Sequence, residues 1–169
     1  MARIATVLGH DEDMHHFKAL AESIAAVVNA AYYEPAAKTY GSQAGDAMAI
    51  FYSMTPEADH AAIVASIVRD VRETHQGHLS TGFFGTYPLL HVLSRHGQGD
   101  LAVEIMTQET YPSYGDMIRN YDGAEMLEGR RDFREKDLCW KMGRFQMEVS
   151  TGGEWFFTGI PGIEPDPAA

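Results

Sequence analysis

The sequence is poor in cysteine and in basic residues. Its 169 residues include one cysteine, Cys139, and 13 Lys and Arg against 24 Asp and Glu. A single cysteine can form no internal disulfide and favours a reducing compartment, so we expect a cytoplasmic protein. The formal net charge of −11 repels phosphate backbones and anionic lipid surfaces, so we expect neither a nucleic acid nor a membrane as partner.

Long apolar runs are also lacking. No stretch approaches the ~20 consecutive apolar residues that a membrane-spanning helix needs. The apolar run after Met1 is too short for a signal peptide, and three acidic residues, 11–13, follow it. Hydrophobic residues make up 45% and charged residues 22%, which is typical of a globular chain of one domain or a piece of a larger one.

The pattern that is present is helical. Apolar residues recur at steps of three and four, and caps or turn residues separate the periodic stretches. The predicted helices cover residues 11–31, 43–54, 56–74 with Thr55 as cap, 86–96 with Pro88 in the first turn, 101–106 after Asp100, 116–121 and 153–157. Short connections join them, and no βαβ alternation occurs. The sequence therefore predicts an all-α fold built of αα-hairpins.

Metal and nucleophile signals are weak. His75 and His78 lie three apart on a glycine-rich loop, but no HExxH motif accompanies them. Cys139 has no supporting histidine motif, and no GxSxG elbow occurs. We therefore expect no metal and no cofactor.

Carboxylates offer a more specific signal. Glu125 and Glu128 follow a Gly-Ala pair in a loop rich in Tyr, Gly and Met. Glycoside hydrolysis needs a pair of carboxylic groups, and sugar sites combine them with aromatic and polar loop residues. On spacing alone, a solvated acidic loop is the alternative interpretation.

An ordered set of motifs resembles the bacterial and fungal α-L-rhamnosidases of the six-hairpin glycosidase class. The motifs are residues 77–86 (GHLSTGFFGT), 89–93, 99–102 (GDLA), 108–115 (QETYPSYG), 123–124 and 153–157 (GEWFF) followed by 162–167. The likeness covers nearly the whole chain and is weakest between Glu125 and Gly152. It implies part of an (α/α)₆ toroid, in which an inner ring of helices alternates with an outer ring.

The resemblance also implies a reaction. Such hydrolases remove terminal α-L-rhamnose from a rhamnose-containing glycoside with inversion: one carboxylic acid protonates the leaving oxygen, and a second carboxylate activates water. When residues 127–132 are aligned with the family's base motif without a gap, the base position falls on Gly129. When the alignment is shifted by one residue, the base position falls on Glu128, which is therefore the candidate general base. The candidate substrate-binding residues are His78, Tyr114, Glu125 and Gln146, the last where the family has a histidine.

The Arg-Asp-Glu motif that carries the family's general acid is missing. Residues 1–169 are therefore expected to form a single partial domain, the second half of the barrel, with 161–169 as an extended exit tail. We expect the isolated chain to be inactive. The alternatives are a non-catalytic helical module that binds carbohydrate or a partner chain, and a six-hairpin glycosidase whose acid comes from another protomer.

Two spatial expectations follow. Loops around 78–86, Tyr114 and 125–128 should converge at one end of the hairpins, because connections at one end of a toroid face the same funnel. Half a toroid should also leave an apolar face, which we expect near Phe83, Phe84, Leu89 and Leu90. This face predicts self-association or contact with a missing N-terminal half-barrel.

Overall fold

A computed structural model describes residues 1–120 and 151–162. Within these ranges the chain forms eight α-helices, which are α1 (Ala2–Val7), α2 (Asp11–Tyr32), α3 (Gln43–Phe51), α4 (His60–Arg69), α5 (Phe83–Arg95), α6 (Gly99–Met106), α7 (Tyr114–Asn120) and α8 (Thr151–Thr158). A 3₁₀ turn, Glu57–Asp59, precedes α4, and a π turn, Asp70–Thr74, extends it. The β-structure in these ranges is one isolated bridge between Glu34 and Thr39. The predicted all-α class is confirmed.

The helix boundaries differ from the predicted ones at several places. Helix α5 begins at Phe83, so Pro88 lies inside the helix rather than in its first turn. The hydroxyl of Thr55 caps nothing: it is buried without a partner in the described part of the chain, and Pro56 precedes the 3₁₀ turn instead. Helix α1 was not predicted, because its six residues are too few to show a period.

Helix α5 lies at the centre of the fold, where it packs against α3, α6 and α8. Leu89, Leu90 and Leu93 are fully buried in the core that these helices share. The stripe predicted on the third helix is buried as well, with Ile63 and Ile67 at 0% exposure. Helices α3 and α4 pack together, and so do α5 and α6, as antiparallel-hairpin neighbours would.

The expectation of an apolar face around Leu89 and Leu90 is wrong, because the described helices cover both residues completely. Phe84 is exposed, at 70%, and the side chain of Phe83 lies outside what the structure describes.

The uncovered apolar face lies instead on α2. Helix α2 packs against α1, and no residue of it is buried by the described part of the chain. Leu20, Ile24 and Val27, on the predicted stripe, are 46%, 51% and 69% exposed. Near its end, Asn29 donates from Nδ2 to the Met54 carbonyl at 2.7 Å. Helices α1 and α2 thus form an arm, residues 1–32, that is tied to the remaining helices near the end of α2.

None of the helices in the described ranges combines the length and apolarity that crossing a membrane requires.

Candidate functional site

Three chain segments meet at one end of the hairpins: the start of α3, the loop 75–82 that leads into α5, and the loop 107–113 that leads into α7. Gln43, buried at the start of α3, holds the first loop. Its Oε1 accepts from the Ser80 backbone N–H at 3.0 Å, and its Nε2 donates to the His78 carbonyl at 3.4 Å. Gln43 was not identified from the sequence, because a glutamine in a helix's first turn gives no signal of its own.

His78 joins the two loops. Its Nδ1 lies 2.9 Å from the His75 carbonyl oxygen, and its Nε2 lies 3.0 Å from Oγ1 and 3.1 Å from the carbonyl oxygen of Thr110. Both ring nitrogens therefore have partners within the chain. This places His78 at the predicted loop end as a tie between loops 75–82 and 107–113, and contact with a sugar stays a prediction.

Tyr114 is the first residue of α7 and belongs to the hydrophobic core, with 5% of its surface exposed. The preceding Ser113 accepts from the Asp116 N–H at 3.0 Å, as a capping side chain does. Gly115 packs so closely on the Gln108 carbonyl that a Cβ would not fit. Tyr114 thus anchors the start of α7 in the core, after the loop that His78 contacts at Thr110, and its role as a sugar contact stays a prediction.

A cavity of about 270 Å³ opens between the two loops. It is lined by Thr74, His75, Gln76, His78, Leu79, Tyr111 and Pro112. Nδ1 of His75 faces Asp70, 3.0 Å from carboxylate Oδ2 and 3.4 Å from the carbonyl oxygen. The loop end therefore offers a concave surface with polar and apolar walls, which is the usual form of a small-molecule site.

Glu125, Glu128 and Gln146 lie outside the described residues. The convergence of segment 125–128 with the other two loops therefore stays a prediction, as do the roles of these three side chains.

A second polar centre joins α8 to α5. His91 Nε2 lies 3.0 Å from Glu154 Oε2, and the Tyr87 ring lies 4.3 Å from that of His91. Trp155 donates its indole N–H to Ser94 Oγ at 2.8 Å. This centre could not be identified from the sequence, because His91 lies in an apolar stretch and its partner Glu154 comes 63 positions later.

Two carboxylates in the described ranges are buried, Asp46 and Asp116, and Asp46 is the less exposed of the two. Asp46, on α3, is 2% exposed and accepts from the Thr39 hydroxyl and the Tyr40 N–H. Burial raises the pKa of its carboxyl, while these hydrogen bonds act in the opposite direction. Residues 1–120 and 151–162 contain no group of three His, Cys, Asp or Glu that could hold a metal ion.

Helical hairpins around a shared core, with their connecting loops gathered at one end, define a segment of an α-helical hairpin toroid. The family model described as the bacterial alpha-L-rhamnosidase 6 hairpin glycosidase domain matches residues 1–128. The chain belongs to this family.

Individual relatives agree with this assignment. The chain is 31% identical to an alpha-L-rhamnosidase of Streptomyces avermitilis over 172 residues, which cover 99% of this chain and 16% of that protein. It is 25% identical to an alpha-L-rhamnosidase of an Alteromonas species, covering 96% of this chain and 18% of the relative. The chain thus spans less than a fifth of the length of these relatives.

Solved structures show the same fold. The Streptomyces avermitilis alpha-L-rhamnosidase complexed with L-rhamnose superimposes with a TM-score of 0.81 at 29% identity, over 97% of this chain and 16% of that one. The alpha-L-rhamnosidase from Dictyoglumus thermophilum superimposes with a TM-score of 0.82 at 24% identity, over 96% of this chain and 18% of that one.

Proposed function

We propose that the chain is a segment of an α-L-rhamnosidase catalytic domain and takes part in removing terminal α-L-rhamnose from a glycoside. The observation that carries this proposal is the contact between His78 and Thr110. It joins the loops that carry two of the family-like motifs, 77–86 and 108–115, at one end of the hairpins. Function in helical folds resides on such gathered loops.

The proposed reaction inverts the anomeric carbon. Glu128 acts as general base and takes a proton from the attacking water, while a carboxylic acid from outside residues 1–169 protonates the leaving oxygen. The two carboxyl groups of an inverting pair are separated by ~6.5–9.5 Å, which leaves room for the water. Residues 1–169 then form the second half of the toroid, and 161–169 lead out of it.

The isolated chain is inactive under this proposal, because one of the two carboxylic groups is missing. The test is hydrolysis of an aryl α-L-rhamnoside by the chain alone and by the chain mixed with a supplied first half of the barrel. We expect turnover in the mixture, β-L-rhamnose as the first-formed anomer, and a loss of roughly 10²–10⁴-fold for Glu128→Gln. Glu57→Gln, an exposed carboxylate on the 3₁₀ turn, is the matched control.

Each part of the proposal has an outcome that contradicts it. Turnover that survives Glu128→Gln excludes Glu128 as the base. Turnover by the chain alone shows that the acid lies within residues 1–169 or comes from a second copy. Binding of L-rhamnose by the mixture without turnover favours the non-catalytic carbohydrate-binding module.

The partner of the arm is a further part of the proposal. The exposed stripe of Leu20, Ile24 and Val27 is covered by the missing N-terminal half-barrel or, when the chain is alone, by self-association. Exposed apolar surface of this kind usually marks an interface.

The reducing, cytoplasmic location rests on the single Cys139 and stays a prediction.

A further inference from the structure

A second concave surface lies beside α4. It is a groove of about 490 Å³ between α4 with its π turn, on one side, and the turn that joins α5 to α6, on the other. Among the described residues, none lines both this groove and the cavity between loops 75–82 and 107–113. Its volume lies within the roughly 300–1,000 Å³ of small-molecule sites, so the chemistry of its walls indicates what it can bind.

The floor of the groove is apolar and elongated. Val64 is 5% exposed, and Val68 is partly buried against the core. Ala61 and Ala65 line the same face, because steps of three and four residues return to one side of a helix, and their small side chains leave room in the groove. From Ala61 to Arg69 this face extends for about 12 Å, at 1.5 Å per residue.

One end of the groove carries arginine. Arg69 is exposed, and its side chain forms no hydrogen bond or ion pair with another residue of the described ranges. Arg72 lies one turn further, and its Nη2 is 3.4 Å from Oε2 of Glu104 on α6. Burial and the neighbouring His60 lower the pKa of His96, on the opposite wall. The cation that the groove offers at neutral pH is therefore arginine.

These polar groups suit a single carboxylate. A guanidinium with free donors binds a planar carboxylate through two parallel hydrogen bonds, and Arg69 has such donors. Glu73 lines the same end, so repulsion disfavours a ligand with more than one negative charge. Gln98, on the opposite wall, adds an amide that can both donate and accept.

The walls fit the end of a small molecule better than a peptide that passes through. The Arg72–Glu104 pair bridges the π turn and α6, so side chains close the groove at its arginine end. The backbone N–H groups of His96 and Gln98 donate to carbonyl oxygens within their own turn, at 3.1 and 2.8 Å. An extended peptide therefore finds no strand edge with which to pair.

We propose that this groove binds a monocarboxylate with a linear apolar chain, its carboxylate on Arg69 and its chain against Val64 and Val68. The face from Ala61 to Arg69 is about as long as an extended chain of eight to ten carbons with bonds of ~1.5 Å. The site is separate from the proposed hydrolysis, so its test requires no turnover.

The test is an NMR titration of the full chain with octanoate, below the concentration at which it forms micelles. We expect saturable shifts of the backbone amides of residues 64–72 and 96–98. Octan-1-ol has the same chain without the charge and should bind at least about ten-fold more weakly. Hexanoate should bind about four-fold more weakly or less tightly still, because it leaves two methylene groups' worth of the apolar floor uncovered.

Two substitutions with matched controls locate the ligand. Arg69→Gln should weaken octanoate binding at least about ten-fold, because the charged hydrogen bonds are lost. Arg3→Gln, an exposed arginine on α1, should leave the affinity unchanged. Ala65→Trp fills the groove and should abolish the shifts, whereas Ala62→Trp, exposed on the same helix but outside the groove, should preserve them.

Five results overturn the inference. Three are the absence of saturable shifts at residues 64–72 and 96–98, unchanged affinity of Arg69→Gln, and equal affinity for octan-1-ol. Shifts confined to residues 20–27 would place octanoate on the exposed stripe of α2. Shifts of the groove amides that depend on protein concentration without octanoate would assign the groove to a second copy of the chain.

Discussion

His91 Nε2 and Glu154 Oε2 lie 3.0 Å apart, and this contact ties α8 to the central helix α5. The His91 side chain is 3% exposed and that of Glu154 is 45% exposed, so the pair runs from the core to the surface. The neighbouring Trp155 makes a second tie, to Ser94. Helix α8 is thus held by two polar contacts and one large buried ring.

Trp155 should account for most of the stability that α8 contributes. Its ring is 1% exposed, so Trp155→Ala should lower the free energy of unfolding by ~3–5 kcal/mol. Trp155→Phe keeps an aromatic ring but loses the N–H donor to Ser94, and should cost less than Trp155→Ala. Phe157→Ala, where the ring is 68% exposed, is the control and should stay within about 0.5 kcal/mol. Urea unfolding measures all three, and equal losses would show that α8 is not docked through Trp155.

Gly85 should tolerate no side chain. A Cβ there would lie 2.7 Å from Ala44 Cβ and 3.2 Å from Ala44 Cα, on the facing helix α3. Gly85→Ala should therefore cost ~1–3 kcal/mol, because α3 and α5 must move apart. Gly99→Ala, at the start of α6, would meet no atom within 4 Å and should leave stability unchanged or raise it by up to ~1 kcal/mol. Thermal unfolding of the two variants measures this difference in stability. A Gly85→Ala protein that is as stable as Gly99→Ala would contradict the close α3–α5 packing.

The buried carboxyl of Asp46 should make stability depend on pH in acid. Burial raises its pKa in the folded state above the ~3.9 of an unfolded chain. At pH values between the unfolded-state and folded-state pKa of Asp46, the folded state binds more protons than the unfolded state. The free energy of unfolding therefore falls as pH rises through this interval. The free energy of unfolding of the unmodified chain, relative to Asp46→Asn, should therefore fall as pH increases from about 4.

Denaturant unfolding at several pH values provides the measurement. Asp100→Asn, which removes an exposed carboxylate on α6, controls for the loss of one negative charge. If the free energy of unfolding of the unmodified chain minus that of Asp46→Asn rises with pH, the raised pKa of Asp46 is contradicted.

The stripe on α2 should drive self-association of the isolated chain. Ile24→Glu places a charge among Leu20 and Val27 and should shift the chain to monomer in sedimentation velocity. Ala26→Glu adds the same charge about 200° further around the helix, on the opposite side, and should leave association unchanged. A chain that is monomeric without any substitution, or equal effects of the two variants, would refute a role for this stripe.

The periodicity of apolar residues predicted the helices well where a helix buries one face against helices that are adjacent to it in the chain. The stripe from Ile63 to Val71 appears in the core as expected. The α5 start was missed because residues 82–85 read as a glycine-rich loop, and Pro88 was assigned to the first turn on the general rule for proline. Periodicity located the apolar stripe on α2. Whether the stripe is buried depends on which other segments pack against it, and the sequence of α2 itself does not contain that information.

The candidate site was predictable in part. Hairpin connections at one end of a toroid were expected to bring the loops near His78 and Tyr114 together, and loops 75–82 and 107–113 do meet at one end. The atoms that make this meeting possible could not be predicted. His78 and Thr110 are 32 positions apart, and Gln43 and Ser80 are 37 apart, so their pairing depends on tertiary packing alone.

The π turn Asp70–Thr74 restricts how this chain can change in length. Its backbone closes with a hydrogen bond from the His75 N–H to the Asp70 carbonyl, one residue wider than an α-helical turn. Loss of one residue here would restore the α-helical pitch and rotate the following chain by about 100°. Loop 75–82 would then leave its register with Gln43 and Thr110. We expect this hairpin to accept many substitutions over evolutionary time while its residue count stays fixed.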